Sequence, residues 1–371
     1  MTAMKTYKYK LYRGKKNKHL SHAVDLASEV WNYSVAMYRR YYKLYGRSLS
    51  ANRLKTHITR LKKTNRYARW NGLGSQAVQD VVERVDKSYR AFFEHLRQKR
   101  GGRKSPPHFC KRENYKSFTL KQAGFRFRDG NKITIMGRDY KYSASRPFEG
   151  EIKTLTVKRT KSGEYFITVV CKQEVNEILP RMGNAIGLDF GLRHFLTADD
   201  GRVIDSPEWY KAALKELRAA HRAVSRCQKG SRNRKRALLH LERVYEKVSN
   251  QRRDWFFKLA GQIAADNAII CIEDLNLDAM KRLWGRKVSD LGFSEFVGIL
   301  EWKASRCGSS VVKVDRWAPT SKTCSRCGAV MEELPLSQRT FRCGACGLET
   351  DRDMNAAANI KNLGVAALKA S

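Results

Sequence analysis

A chain of 371 residues exceeds the roughly 100–200 of one ordinary domain, and its 42% apolar and 10% aromatic content excludes disorder throughout. Lysine and arginine number 74 against 36 acids, a formal charge of +38 that no enzyme of small neutral metabolites needs, so the expected partner is a polyanion. The surplus is uneven: residues 1–180 hold 41 basic and 14 acidic side chains (+27), residues 181–371 hold 33 and 22 (+11).

The pattern opens with a period of two, lysines alternating with Tyr7, Tyr9 and Leu11, which predicts a strand over 4–12 and leaves no apolar core for a signal peptide. Helical patterning follows. Val24, Ala27, Val30, Trp31, Tyr38 and Tyr42 mark a first helix, and Leu73, Ala77, Val81, Val85, Tyr89, Phe92 and Leu96, spaced by threes and fours, mark a second amphipathic one. The basic cluster Arg97, Lys99 and Arg100, then Gly101, Gly102, Pro106 and Pro107, set a boundary near 100–108.

From Ser117 to Lys172 the period returns to two, in SFTL, FRF (125–127), KITI (132–135), IKTLTVKR (152–159) and EYFITVVCK (164–172). These predict a small antiparallel sheet or barrel that the N-terminal strand completes, with the helical block as an insertion. The apolar strand AIGLD (185–189), a strand from His194 to Thr197, a long helical stretch over 208–265 split near Gly230-Ser231, the strand AIICIED (268–274) and a helix near 291–307 then alternate as in an α/β unit. Residues 211–258 carry 15 basic and four acidic side chains, and Leu238, Leu241, Tyr245 and Val248 mark the apolar face that remains. Trp255 to Ile272, the most apolar stretch, is interrupted by Lys258 and Asp266, so no membrane span is expected.

Nine cysteines, an odd number, suit the reducing cytosol. Four of them, Cys324, Cys327, Cys343 and Cys346, are spaced C-x2-C-x15-C-x2-C, each pair followed by a glycine (Gly328, Gly347), the pattern of a structural zinc ribbon. Cys110, Cys171, Cys227, Cys271 and Cys307 lack such spacing and read as ordinary buried or half-buried residues.

Three acids fall at the ends of apolar segments: Asp189 after AIGL, Glu273 after IICI, and Asp353 in ETDRDMNAAANI, whose alanines suit a helix packed closely on a sheet. Carboxylates gathered from separate segments can hold two Mg²⁺. Each acid also has a structural alternative, since Asp189 could cap a turn, Glu273 pair with a lysine and Asp353 cap a helix, while Asp274 and Asp351 compete for the same roles. The stretches 31–46, where basic and aromatic residues interleave, and 231–240, basic alone, are candidate nucleic-acid contacts.

Taken together, MKTYKYKLY (4–12), GLDFGLRHFLTADDG (187–201), CIEDLNL (271–277), VDRWAPTSKTCSRCG (314–328) and FRCGACGLETDRDMNAAANI (341–360) resemble the TnpB family, transposon-encoded RNA-guided DNA endonucleases related to type V CRISPR effectors. The resemblance implies a multidomain α/β chain: a wedge β-barrel (1–16 and 108–181), a helical recognition domain (17–107), a ribonuclease H-like (RuvC) nuclease domain (182–319 and 348–371) and an inserted zinc ribbon (320–347). It implies catalytic, metal-holding acids Asp189, Glu273 and Asp353, with Asp351 in reserve for the last. It implies two catalytic Mg²⁺ and a structural Zn²⁺ on Cys324, Cys327, Cys343 and Cys346. A guide RNA from the transposon end, target DNA cut beside a short flanking motif, and a cytoplasmic, nucleoid-associated place in a prokaryote are further expectations. The chain departs from the family pattern in QRRDWFFKLA (251–260), where Phe257 stands in place of a histidine. Two alternatives stay open: a guided repressor that does not cut, and a RuvC-type nuclease that uses no guide.

Overall fold

The computed structural model of the chain describes residues 2–98, 102, 104–174, 177–275, 282, 285, 288, 290–335 and 337–370. Lys99, Arg100 and Gly101 of the predicted boundary, and Asn276 and Leu277 of CIEDLNL, lie outside the described residues. Two compact units result, Met1–Asn176 and Glu177–Ser371, and each combines helices with β-sheet.

In the first unit, β1 (Thr2–Lys10) alternates exposed lysines with buried Tyr7 and Tyr9, the pattern of a half-buried strand. It pairs antiparallel along its length with β7 (Tyr165–Glu174), from Thr2 opposite Glu174 to Lys10 opposite Phe166. With β6 (Glu151–Arg159) and β2 (Ser117–Leu120) these form a four-stranded antiparallel sheet in the order β1-β7-β6-β2. A second antiparallel sheet holds β3 (Phe125–Arg128), β4 (Lys132–Ile135) and β5 (Arg138–Lys141). Between β1 and β2 run α1 (Asn17–Tyr45), α2 (Ala51–Leu61) and α3 (Ser75–Arg97), the predicted helical insertion.

One hydrophobic core joins these elements, with Leu20, Val24 and Val30 of α1, Val81 and Val85 of α3, and Phe118, Leu155 and Ile167 of the sheet fully buried. Polar groups fix α3 to β2: Arg84 donates to the Ser117 carbonyl (3.0 Å) and Thr119 Oγ1 (2.7 Å), while Asp80 accepts the Thr119 N–H at 3.1 Å.

In the second unit, β8 (Ala185–Asp189), β9 (Leu196–Ala198) and β10 (Val203–Ile204) form an antiparallel meander. Two long helices follow, α4 (Trp209–Arg226) and α5 (Arg232–Asp266), separated where Ser231 caps the second by accepting the Arg234 N–H at 3.1 Å. β11 (Ile269–Glu273) then returns parallel to β8, and after α6 (Phe293–Cys307) β12 (Ser310–Val314) adds parallel to β11, giving the order β10-β9-β8-β11-β12.

The first half of α5 buries a narrower face than its sequence predicts. Leu241, Val244 and Val248 are buried, whereas Leu238 and Tyr245 are more than a third exposed. There α5 packs in a thin seam with α4, and the Tyr245 hydroxyl meets His221 Nε2 at 2.8 Å on the seam's outer side. Among the described residues, no helix is long and apolar enough to cross a membrane.

Strand alternation sorts the sheet residues by face. Ile186, Leu188, Ile270 and Ile272 enter a core with Phe256, Leu259 and Ile263 of α5 and with Phe296 and Leu300 of α6. The intervening Gly187 and Cys271, opposite each other in the parallel register, meet α7 (Arg352–Ala370) instead. A Cβ on Gly187 would lie 2.0 Å from the Ala357 carbonyl oxygen, and one on Gly364 of α7 would lie 2.4 Å from Cys271 Sγ. Asp199 ties the same contact, accepting the Gly187 N–H at 2.8 Å and the Lys361 ammonium at 2.8 Å. Gly187→Ala forces helix and sheet apart. It is expected to lower the unfolding free energy by about 3 kcal/mol, the upper range for overpacking, and a denaturant midpoint equal to that of the parent would refute so close a contact.

Candidate active site and metal centre

The four spaced cysteines converge as predicted. The first pair sits in a turn closed by the Cys324 N–H on the Ala329 carbonyl (2.8 Å) and the Gly328 N–H on the Cys324 carbonyl (2.9 Å). The second repeats it, with the Cys343 N–H on Leu348 (2.8 Å) and the Gly347 N–H on Cys343 (3.0 Å), between β13 (Thr340–Arg342) and β14 (Glu349–Asp351). Gly328 and Gly347 take φ of 77° and 71°, where a side chain would be strained, which explains the glycine after each pair.

All four Sγ atoms lie within 4.8 Å of one another, with Cys324–Cys346 and Cys327–Cys343 at 3.6 Å. Tetrahedral thiolates about 2.3 Å from zinc stand about 3.8 Å apart, so the donor set and its spacing fit Zn²⁺. Backbone N–H groups of Cys346 and Ala345 lower the Cys343 thiol, which favours the ligating thiolate. The other five cysteines lie outside the cluster, Cys171 and Cys271 buried and Cys110, Cys227 and Cys307 half-buried.

Two buried asparagines fasten this turn to α7. Asn355 donates to the Thr323 carbonyl at 2.7 Å and accepts the Ser325 N–H at 3.0 Å. Asn359, one helical turn on, donates to the carbonyls of Thr320 (2.8 Å) and Thr323 (2.6 Å). Patterning missed this role, because a polar residue amid alanines reads as the solvent side of a helix. The available signal was the i, i+4 repeat of asparagine, two amides on one face.

The three acids fall at one end of the same unit. Leu188 pairs with Ile272, so Asp189 and Glu273 follow side by side at the ends of adjacent parallel strands. Alternation from Gly187 and Cys271 puts both on the face that α7 covers, and Asp353 is in the first turn of α7, one turn before the Ala357 that touches Gly187. Burial, then the charges of Asp353 and Glu273, push Asp189 up to about 7, against the pull of Arg352. Glu273 is raised by burial and by the neighbouring Asp274.

The structure also separates the competing acids. Asp351 caps α7, its Oδ1 accepting the N–H groups of Asp353 (2.8 Å) and Met354 (3.1 Å), so capping falls to Asp351 and leaves Asp353 free of that duty. Asp353 lies 3.8 Å from Arg339 Nη1, and its side chain is 22% exposed. Asp274 is paired with Arg316, and both Asp274 and Glu273 line a cavity with Phe293, Ser294 and Lys313. Phe257, where the family pattern has a histidine, lies edge-on to Trp302 (5.8 Å) with Lys303 above its ring.

Residues 168–283 match the OrfB_IS605 model, described as "Probable transposase", and residues 293–360 match the model described as "Cas12f1-like, TNB domain". A Streptomyces pristinaespiralis protein named "Putative RNA-guided DNA endonuclease" is 31% identical over 342 residues, covering 90% of this chain and 83% of that one. A "TnpB-like protein" of Acanthamoeba polyphaga mimivirus is 26% identical over 241 residues, 61% of this chain and 46% of that one. Among solved structures, the "Cas12f1-sgRNA-target DNA complex" aligns over 97% of this chain and 99% of its own with a TM-score of 0.58 at 14% identity, a likeness of fold. With the Streptomyces relative similar over most of both chains, and both family models in order along the sequence, this chain belongs to the TnpB family.

Proposed function

We propose that the chain is an RNA-guided DNA endonuclease whose second unit is a ribonuclease H-like (RuvC) nuclease domain, 182–319 and 348–371, with a zinc ribbon at 320–347. One observation carries the reading: Asp189 and Glu273 end adjacent parallel strands on the face that receives the first turn of the helix bearing Asp353, and burial together with the charges of Asp353 and Glu273 raises Asp189 to about 7. The meander β10-β9-β8 continued by parallel β11 and β12 supports the nuclease fold.

The hard carboxylate oxygens of Asp189, Glu273 and Asp353 suit Mg²⁺, and a pair of such ions would supply the charge that activates water and stabilises the departing 3′ oxygen of a phosphodiester. The chain's own work is to fix those oxygens. The sheet sets Asp189 beside Glu273, and the Gly187 contact with the Lys361–Asp199 pair holds α7 in register, so that Asp353 meets them.

On the same reading the first unit, with a wedge domain at 1–16 and 108–181 and a recognition domain at 17–107, holds a guide RNA from the transposon end. The charge surplus of 1–180 supports it. Pairing by the guide would select the DNA, and the protein would read only a short flank. The test is to purify the chain from its host, sequence any RNA that accompanies it, and assay cutting of matching DNA in Mg²⁺. A defined RNA with metal-dependent cutting is expected. No RNA, or RNA without cutting, would overturn the proposal in favour of a guide-free nuclease or a repressor.

A further inference from the structure

The apolar stripe of α3 does not stop where the core of the first unit stops. Tyr89 is buried and stacks on Tyr38 of α1 at 5.0 Å and 9°. Beyond it Phe93 stacks on Tyr89 (6.3 Å, 25°) and Tyr42 leans on Phe93 (6.0 Å, 34°), yet Phe93 is 38% and Tyr42 51% exposed. Four rings thus run from the core into solvent.

Beside them is a cavity of about 540 Å³ whose lining includes Tyr42, Tyr89, Phe92, Phe93, Arg39 and Lys43. Its charged lining residues are both cationic, and Lys43 has no acidic partner among the described residues.

We propose that this pocket holds one unpaired base of the bound RNA. The base stacks on the exposed rings of Phe93 and Tyr42, and Lys43 answers the phosphate charge. Arg39 is already placed, donating to the Pro107 carbonyl at 3.0 Å and lying 4.9 Å from the Phe109 ring. Aromatic rings with cations and no acid suit a nucleotide. A helical partner or a second copy would find, among the described residues, only Leu96 as a branched aliphatic side chain in the pocket. The proposal rests on the RNA-binding role assigned to this unit.

The full-length chain is titrated with a ten-nucleotide oligouridine carrying 5-bromouridine, then irradiated and the cross-linked peptide identified. Cross-links within 38–45 or 89–96 are expected. Phe93→Leu and Tyr42→Leu, both at exposed positions, should each weaken binding about tenfold without changing its salt dependence, because no cation is lost. Lys43→Ala should instead reduce the salt slope by about one.

Parent-like affinity in both leucine variants, with the far-ultraviolet spectrum unchanged, overturns the pocket. So do cross-links that map elsewhere, or a concentration-dependent dimer that Phe93→Leu dissolves. If the parent chain binds no RNA at all, the proposed function fails first, and the two failures are distinct.

Discussion

Asp189→Asn is expected to bind RNA and its DNA target as the parent does and to lose cutting by roughly a thousandfold or more, the scale on which preorganised charge acts on a transition state. The substitution is nearly isosteric, so the strand end and its pairing beside β11 survive. What is lost is a negative donor among three. The same change should stabilise the metal-free protein. Folding raises Asp189 from the usual carboxylate range to about 7, so the penalty for charging it is absent below about pH 4 and complete above about pH 7.

The melting temperature of Asp189→Asn should therefore exceed that of the parent in chelator at pH 8, with the gap closing toward pH 4. Adding Mg²⁺ should raise the parent's melting temperature and leave the variant's almost unmoved. A variant that still cuts, or that melts below the parent at pH 8, would remove Asp189 from the site.

Cys343→Ala is the second large effect. Apart from its thiols, the segment around the cysteines buries little: Leu334 and Phe341 with Cys324 and Cys343 form its small core. Structural zinc in small modules contributes about 10–16 kcal/mol of folding free energy, so losing one thiolate should unfold the turn pair. Bound zinc should fall from one equivalent to none. Cutting should go with it, because Asn355 and Asn359 then lose the carbonyls that hold the start of α7. RNA binding by the first unit should persist. Asn359→Ala offers a graded version, with zinc released faster to a chelator and cutting reduced about tenfold, as for partners that orient a metal site. Full cutting by zinc-free protein would sever the ribbon from the active site.

Much of this was readable before any coordinates. β8 and β11 stood out as short apolar runs because both of their faces are covered, and the cysteines stood out by spacing alone. β12 did not, since SVVKV at the sheet edge breaks its apolar run with Lys313, and β10 is two residues long. The acids show the limit most clearly. Asp351 and Asp353, like Glu273 and Asp274, are equivalent as text. The choice between them follows from which carboxylate the α7 N–H groups and the Arg316 guanidinium take up. The first is a local cap that either aspartate could have made, and the second joins residues 42 apart in the chain.

Gly364 and Asp353 lie eleven residues apart on α7, and the glycine is pinned against Cys271. That interval works as a fixed ruler about 16 Å long, in which a one-residue insertion or deletion would swing Asp353 some 100° around the helix axis. The non-helical segment before it, between Cys327 and Cys343, is bound by no such pitch. Length variation should therefore be purged from 354–363, where each inserted or deleted residue turns Asp353 away from Asp189 and Glu273.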